Sequence, residues 1–442
     1  MTVEEEQGCG VPDPGPGTKP GDETPKPSLG LFQAFGVELE FMIVDRDTLD
    51  VRPVADQLIA DVAGSPVSEV ALGRVAWSNE LALHVLELKT NGPAATLQGL
   101  TWEFHGEVRR ANSILGGLGC RLLPGGMHPW MDPHTELRLW PHEYTEVYRT
   151  FDRIFSCRGH GWANLQSTHL NLPFQGDREF AALHEAVRLV LPILPALAAS
   201  SPFLDGRTGE HLDERLAAYR SNAARVPSVA GRVIPEPMRS RREYEEVLLG
   251  GIYRDLEPLD PEGVLHHEWV NARGAIARFQ RGSIEIRILD SQECVGADLA
   301  MTALVSGVVA ALCLRALEEP GGLPVLETER LARILDRVIR DGERARIQDP
   351  DYLTALGLPA LAPEAEAGEV WAALAEEAGR EIAEDPEWAP FLGTILEEGP
   401  LGRRLLVAAG PDPSRERLRE VYGELARCLE QNRPFSPGRG MG

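Results

Sequence analysis

Gly36-Val37-Glu38-Leu39-Glu40-Phe41-Met42-Ile43-Val44-Asp45 is the stretch that decides the fold class. Side chains of a β-strand alternate between its two faces. Glu38 and Glu40 therefore share one face, while Val37, Leu39, Phe41 and Ile43 share the other. Read alone, this pattern also fits an ordinary strand with one solvated side. Its company along the chain decides its meaning.

A second acidic stretch is Asn79-Glu80-Leu81-Ala82-Leu83-His84-Val85-Leu86-Glu87-Leu88-Lys89-Thr90. Glu87 and Lys89 share a face, but Glu80 has the opposite parity, so Glu80 and Glu87 converge only if the chain turns or bulges between them. A third is Gly282-Ser283-Ile284-Glu285-Ile286-Arg287-Ile288-Leu289-Asp290, with Glu285 and Arg287 opposite three isoleucines. In isolation the acid and the arginine make a plain ion pair. Ser167-Thr168-His169-Leu170-Asn171-Leu172 adds a fourth run, placing His169 beside Asn171 on one face. Three strands that aim carboxylates from apolar backings need a cation where their faces meet. Oxygen-rich donor sets suit Mg²⁺ or Mn²⁺ better than zinc.

Outward from these strands the chain reads as α+β. Residues 1–30 are crowded with Pro, Gly and charge and predict a disordered tail. Residues 31–432 predict a single catalytic domain, with strands and interspersed helices (99–118 and 179–199) in 31–295 and amphipathic helices in 296–432. Residues 433–442 predict a second flexible tail. The Gly-rich Pro124–Trp130 lacks the spacing of a phosphate loop and is expected to form a turn at the site mouth. Tyr219–Ser228 is a candidate substrate loop, and Arg340, Arg344 and Arg346 are candidates for phosphate contacts.

Composition excludes several classes. Lys and Arg number 44 and Asp and Glu 68, so the formal charge is 44 − 68 = −24. Such a balance argues against nucleic acid and anionic membrane surfaces as partners. The six cysteines stand singly, which disfavours a disulfide scaffold or a zinc ribbon. No basic segment followed by an apolar one opens the chain, so a cytoplasmic protein is expected. Leu299–Leu314, uncharged over sixteen residues, is shorter than the ~20 a membrane span needs and reads as a buried helix.

Taken in order, GVELEF (36–41), NELALHVLELKT (79–90), GGMHPW (125–130), THLNL (168–172), ASSPFLDGR (199–207) and RGSIEIRILDSQE (281–293) resemble the glutamate-cysteine ligase family 2. These are carboxylate-amine ligases with a glutamine-synthetase-like fold. The resemblance implies a curved antiparallel sheet flanked by helices, whose concave face holds Mg²⁺ or Mn²⁺ between ATP and an amino-acid substrate. It carries Glu38, Glu40, Glu80, Glu87, His169 and Glu285 over as metal ligands, with Glu38 and Glu285 acting in catalysis through the ions they hold. Arg287 matches an arginine near the transferred phosphoryl group, and Arg273 a second site arginine.

The implied reaction phosphorylates a carboxylate, that of glutamate, at the expense of ATP and joins it to an amine such as cysteine. A ligase for another amine and a metal-dependent amide hydrolase on the same fold are the alternatives. Lys89 departs from the family, whose members carry Ala or Ile there. It is the only lysine outside the N-terminal segment, and it is expected to contact a substrate carboxylate or phosphate. Small-molecule amino-acid substrates are the expected partners, and a homodimer is one of the oligomeric states left open.

Overall fold

The computed structural model describes residues 29–362 and 364–437. The expected N-terminal tail lies, for 1–28, outside the described residues, as do 438–442.

An eight-stranded sheet organises the described residues. Its strands are β1 (Gly36–Asp45), β2 (Glu69–Leu72), β3 (Val75–Asn79), β4 (Val85–Thr90), β5 (Cys120–Leu123), β6 (Ser167–Pro173), β9 (Ala275–Arg278) and β10 (Ser283–Asp290). Two short strands, β7 (Phe203–Leu204) and β8 (Arg207–Thr208), form a separate ribbon. The spatial order is β2-β3-β4-β1-β6-β10-β9, with β5 against the second half of β1. Every pairing is antiparallel.

Alternation along β1 sets the two sides of the sheet. Val37, Leu39, Phe41 and Ile43 are fully buried in the main core with Leu170, Leu172, Ile284, Ile286 and Ile288. The helices Gly176–Val190 and Val295–Glu318 pack on each other and on β6 and β10. Gly176–Ala198, into which the first of them continues, and Val295–Glu318 are long and apolar enough to cross a membrane, but their apolar stretches are 94% and 78% buried inside the protein. A helix apolar all round fits such a core position. The expected 179–199 helix is interrupted at Leu191–Ile193 by a 3₁₀ turn containing Pro192, which lacks the N–H that an α-helix ladder requires.

The acid-bearing side changes character along β1. Met42 and Val44 share parity with Glu38 and Glu40, yet they are fully buried. They join a second apolar cluster with Leu401, Leu405, Leu418, Val421, Tyr422 and Leu425 from the helices Leu401–Ala409 and Arg415–Gln431. The C-terminal helices thus close one end of the acidic face, and polar residues remain only where they stop. The expected flexible tail is corrected for 433–437. Phe435 is buried in this second cluster, its N–H donates to Glu293 Oε1 at 3.1 Å, and Arg433 pairs with Glu424.

The 79–90 stretch is not one strand. Antiparallel pairing of Ser78 with Glu87 and Asn79 with Leu86 makes it a hairpin, so Glu80, just past the end of β3, turns back toward the side that carries Glu87. The turn resolves the parity conflict between these two acids.

Candidate active site

Register places the functional side chains. Directly paired residues of an antiparallel ladder share a face. Glu38 pairs with Lys89 on one side and His169 on the other, Glu40 with Glu87, and Glu285 with Asn171. Four strands therefore project one row of polar groups from β4 through β1 and β6 to β10.

His169 stands at the centre of the row. Its Nδ1 lies 2.9 Å from Glu38 Oε2 and 3.9 Å from Glu285 Oε1; its Nε2 lies 2.9 Å from Ser167 Oγ and 3.8 Å from Glu40 Oε1. Two triads result, Glu38–His169–Glu285 and Glu40–Glu87–His169, each with donor atoms within 4.8 Å of one another. A neutral imidazole offers one lone pair, so it ligates in one triad and donates its N–H in the other. Backbone also supports the row: Ser167 N–H donates to Glu40 Oε2 at 2.7 Å.

The electrostatics are those of acids forced together. Burial would raise Glu38, but the hydrogen bond and charge of His169, with Arg281 and Lys89, hold it well below the usual carboxylate range. Burial would likewise raise Glu285, and Arg287 and Arg278 outweigh it. His169 is pushed up against its burial by Glu38 and Glu40. Glu87 is pushed up to about 7 by burial and by Glu38, and Glu80 is pushed well above its ordinary value by burial and by Glu87, Glu40 and Glu38. Like charges this close are relieved by protons or by a bound cation. Carboxylate oxygens with one imidazole fit a hard divalent ion such as Mg²⁺ or Mn²⁺.

Arginines flank the β10 end. Arg287 Nε forms an ion pair with Glu285 Oε1 at 2.9 Å but lacks hydrogen-bond geometry toward it. Its terminal nitrogens make no hydrogen bond to protein among the described residues. Arg278 Nη1 donates to Glu285 Oε2 at 2.8 Å, and Arg281 Nη1 lies 3.7 Å from Glu38 Oε1. A β-bulge between Ile286 and Leu289 shifts the register of β10. It turns Leu289 to the core and Asp290 to the polar side, where Asp290 pairs with buried Arg215 and accepts from Ser200 and Ser201.

With this geometry in hand, three comparisons bear on identity. The model of the glutamate-cysteine ligase family 2 matches residues 34–424. The chain belongs to that family. Among its relatives, an uncharacterized protein of Archaeoglobus fulgidus is 35% identical over 90% of this chain and 99% of its own length. A Nocardioides protein named "Putative glutamate--cysteine ligase 2-1" is 26% identical over 65% of this chain and 69% of its own. The crystal structure of glutamate–cysteine ligase from Francisella tularensis in complex with AMP aligns with TM-score 0.57 and 13% identity, covering 92% of this chain and 90% of that one. The glutamine-synthetase-like ligase fold is therefore shared, and this family 2 protein is a C–N bond-forming ligase of the glutamate–cysteine ligase type.

Of the residues expected at the family 2 site, Glu38, Glu40, Glu87, His169 and Glu285 fall in the two triads, with Arg287 against Glu285. Glu80 stands beside them, coupled to Glu87 and Glu40, without joining a triad. Arg273 does not join them. Its guanidinium binds Glu236 through Nε at 2.6 Å and Nη2 at 2.8 Å, and Nη1 donates to Ser228 O and Asn271 Oδ1. The arginine of that stretch that reaches the acids is Arg278, which the pairing of Ser283 with Arg278 puts on the face of Glu285. Its separation of seven residues from Glu285 is odd, so two-residue counting misses it, and only the pairing across the β9–β10 turn brings it to that face.

Other expectations are corrected too. Pro124–Pro129 is buried rather than at the mouth: Gly126 N–H donates to Ser200 Oγ at 2.8 Å, and a Cβ there would meet Asp290 Oδ2 at 2.5 Å. Arg340, Arg344 and Arg346 are exposed and paired with Asp341, Glu343 and Glu364, as a solvated surface requires. Within Tyr219–Ser228 the chain is tethered, Arg225 donating to Arg153 O and Ile154 O, while Tyr219 is buried and coupled to Arg287. Lys89 is engaged by Glu69 at 2.7 Å and Glu87 at 3.6 Å. Glu69 went unremarked because its strand carries no alternating pattern of its own.

Proposed function

We propose that this ligase transfers the γ-phosphoryl group of ATP to the side-chain carboxylate of glutamate and lets an amine, cysteine or another, displace phosphate to form an amide. The observation that carries this reading is the pair of triads sharing His169 beside an arginine whose terminal nitrogens make no hydrogen bond to protein among the described residues. A carboxylate is a poor acyl donor until its oxygen becomes part of a leaving group. Phosphoryl transfer depends mainly on positioning and on neutralising charge over the moving oxygens.

Glu38, Glu40, Glu80, Glu87, His169 and Glu285 would hold Mg²⁺ or Mn²⁺, and such ions supply charge neutralisation and a template for the phosphates. Arg287, oriented by Glu285, would meet the transferred phosphoryl oxygens with its terminal N–H groups. Arg287 and Arg278 favour the ionised form of Glu285, and His169 with Arg281 that of Glu38, so that both would serve as ligands at neutral pH. The AMP complex of the Francisella tularensis relative supports nucleotide binding on this fold. No side-chain nucleophile is needed for this chemistry.

The test is an ADP-release screen over pairs of amino acids and amines with Mg²⁺ or Mn²⁺, followed by mass measurement of the product. Turnover that needs both glutamate and an amine supports the reading; no stimulation by any pair contradicts it.

A further inference from the structure

The acidic row is covered unevenly. Both triads converge on His169, toward β6 and β10. At the β4 end, Glu87 and Glu69 face each other across β3, since Ser78 pairs with Glu87 on one side and Glu69 on the other. Between these carboxylates stands Lys89, 17% exposed, with Nζ at 2.7 Å from Glu69 Oε2 and 3.6 Å from Glu87 Oε1. Its backbone pairs with Glu38. Glu87 Oε1 is also the acceptor of Ser78 Oγ at 2.6 Å, and the same carboxylate belongs to the triad with Glu40 and His169. The Glu87 carboxylate is thus shared between a fixed ammonium and a site for a mobile cation.

We propose that Lys89 is a resident cation that fills the β4 end of the acidic row, so that this chain binds two divalent ions and excludes a third between Glu69 and Glu87. The proposal rests on the metal reading given above and deepens it. An ammonium and a divalent ion compete for the same carboxylate oxygens, and the tethered charge wins because its position costs no binding entropy.

The experiment is a titration of the purified protein with Mn²⁺, counting bound ions by electron paramagnetic resonance, without nucleotide or substrate. The wild type is expected to bind two ions, Lys89→Met three, and Lys89→Arg two, because arginine keeps the charge. The double variant Lys89→Met/Glu69→Gln is expected to return to two, having lost an acid along with the cation. If Lys89→Met folds only with Mn²⁺ and then holds three ions, the proposal stands; if Mn²⁺ does not restore folding, it falls. Two ions in folded Lys89→Met, or three in the wild type, overturn the role of Lys89 while leaving the metal reading intact. A wild type that binds no Mn²⁺ overturns both.

Discussion

Glu38 and His169 face each other across the β1–β6 ladder, carboxylate Oε2 to imidazole Nδ1 at 2.9 Å. The contact fixes the ring so that its two nitrogens address different triads. Replacing His169 by Ala removes the ligand of one triad and the N–H that orients the other. The expected outcome is a Mn²⁺ dissociation constant raised about tenfold or more, measured by calorimetry. Unchanged affinity would mean that the ions, if bound, sit elsewhere.

Arg287 and Arg273 separate by kind of effect. Arg287→Ala should lower the turnover of ADP release by about 10³-fold, the scale on which phosphoryl-transfer arginines act, with little change in the urea midpoint. Arg273→Ala should do the reverse, costing roughly 2–3 kcal/mol as Glu236, Ser228 O, Val229 O and Asn271 Oδ1 lose their donor, with ATP KM retained. Steady-state kinetics beside urea unfolding of both variants checks the pair.

Much of this was legible in two-residue periodicity. The common face of Glu38 and Glu40, the pairing of Glu285 with Arg287 and the exposure of His169 to that face all follow from alternation in strands with apolar backing. What escaped had a topological cause. The 80–84 turn cannot be seen from parity, because Leu81, Leu83 and Val85 continue the pattern through it. The bulge in β10 inverts the faces of Leu289 and Asp290 without a Gly or Pro to mark it. Met42 and Val44 break the acidic alternation because helices that begin at Leu401 and Arg415, far along the chain, cover them.

The polar network beneath the bulge is a stability element. Arg215 and Asp290 are paired with both side chains essentially buried. Arg215→Met leaves Asp290 without its charge partner and should cost about 3–5 kcal/mol. Gly126→Ala pushes a methyl group into the same carboxylate and should cost about 1–3 kcal/mol. Chemical unfolding of the two variants should rank them in that order.

Asp298 gives a pH signature away from the metal-binding row. It lies in the first turn of the helix Val295–Glu318, accepts from Thr168 Oγ1 at 2.6 Å and Gln292 N–H at 2.9 Å, and is pushed up to about 7 by burial. Its folded value lies above its unfolded one, so the native state holds the extra proton between about pH 4 and 7. Its contribution to stability is full below that window and falls by roughly 1 kcal/mol per pH unit through it. Asp298→Asn should therefore gain on the wild type as pH rises from about 5 to 7, and the gap should level off above. Urea unfolding across that range tests this; a gap independent of pH would contradict it.

The ligase reading itself stands or falls on stoichiometry. With glutamate, an amine acceptor, ATP and Mg²⁺ supplied, ADP, phosphate and amide should accumulate in equal amounts, and omission of any substrate should stop all three. Amide bonds formed or cleaved without matching ADP release would contradict the account and assign this acidic row to hydrolytic chemistry instead.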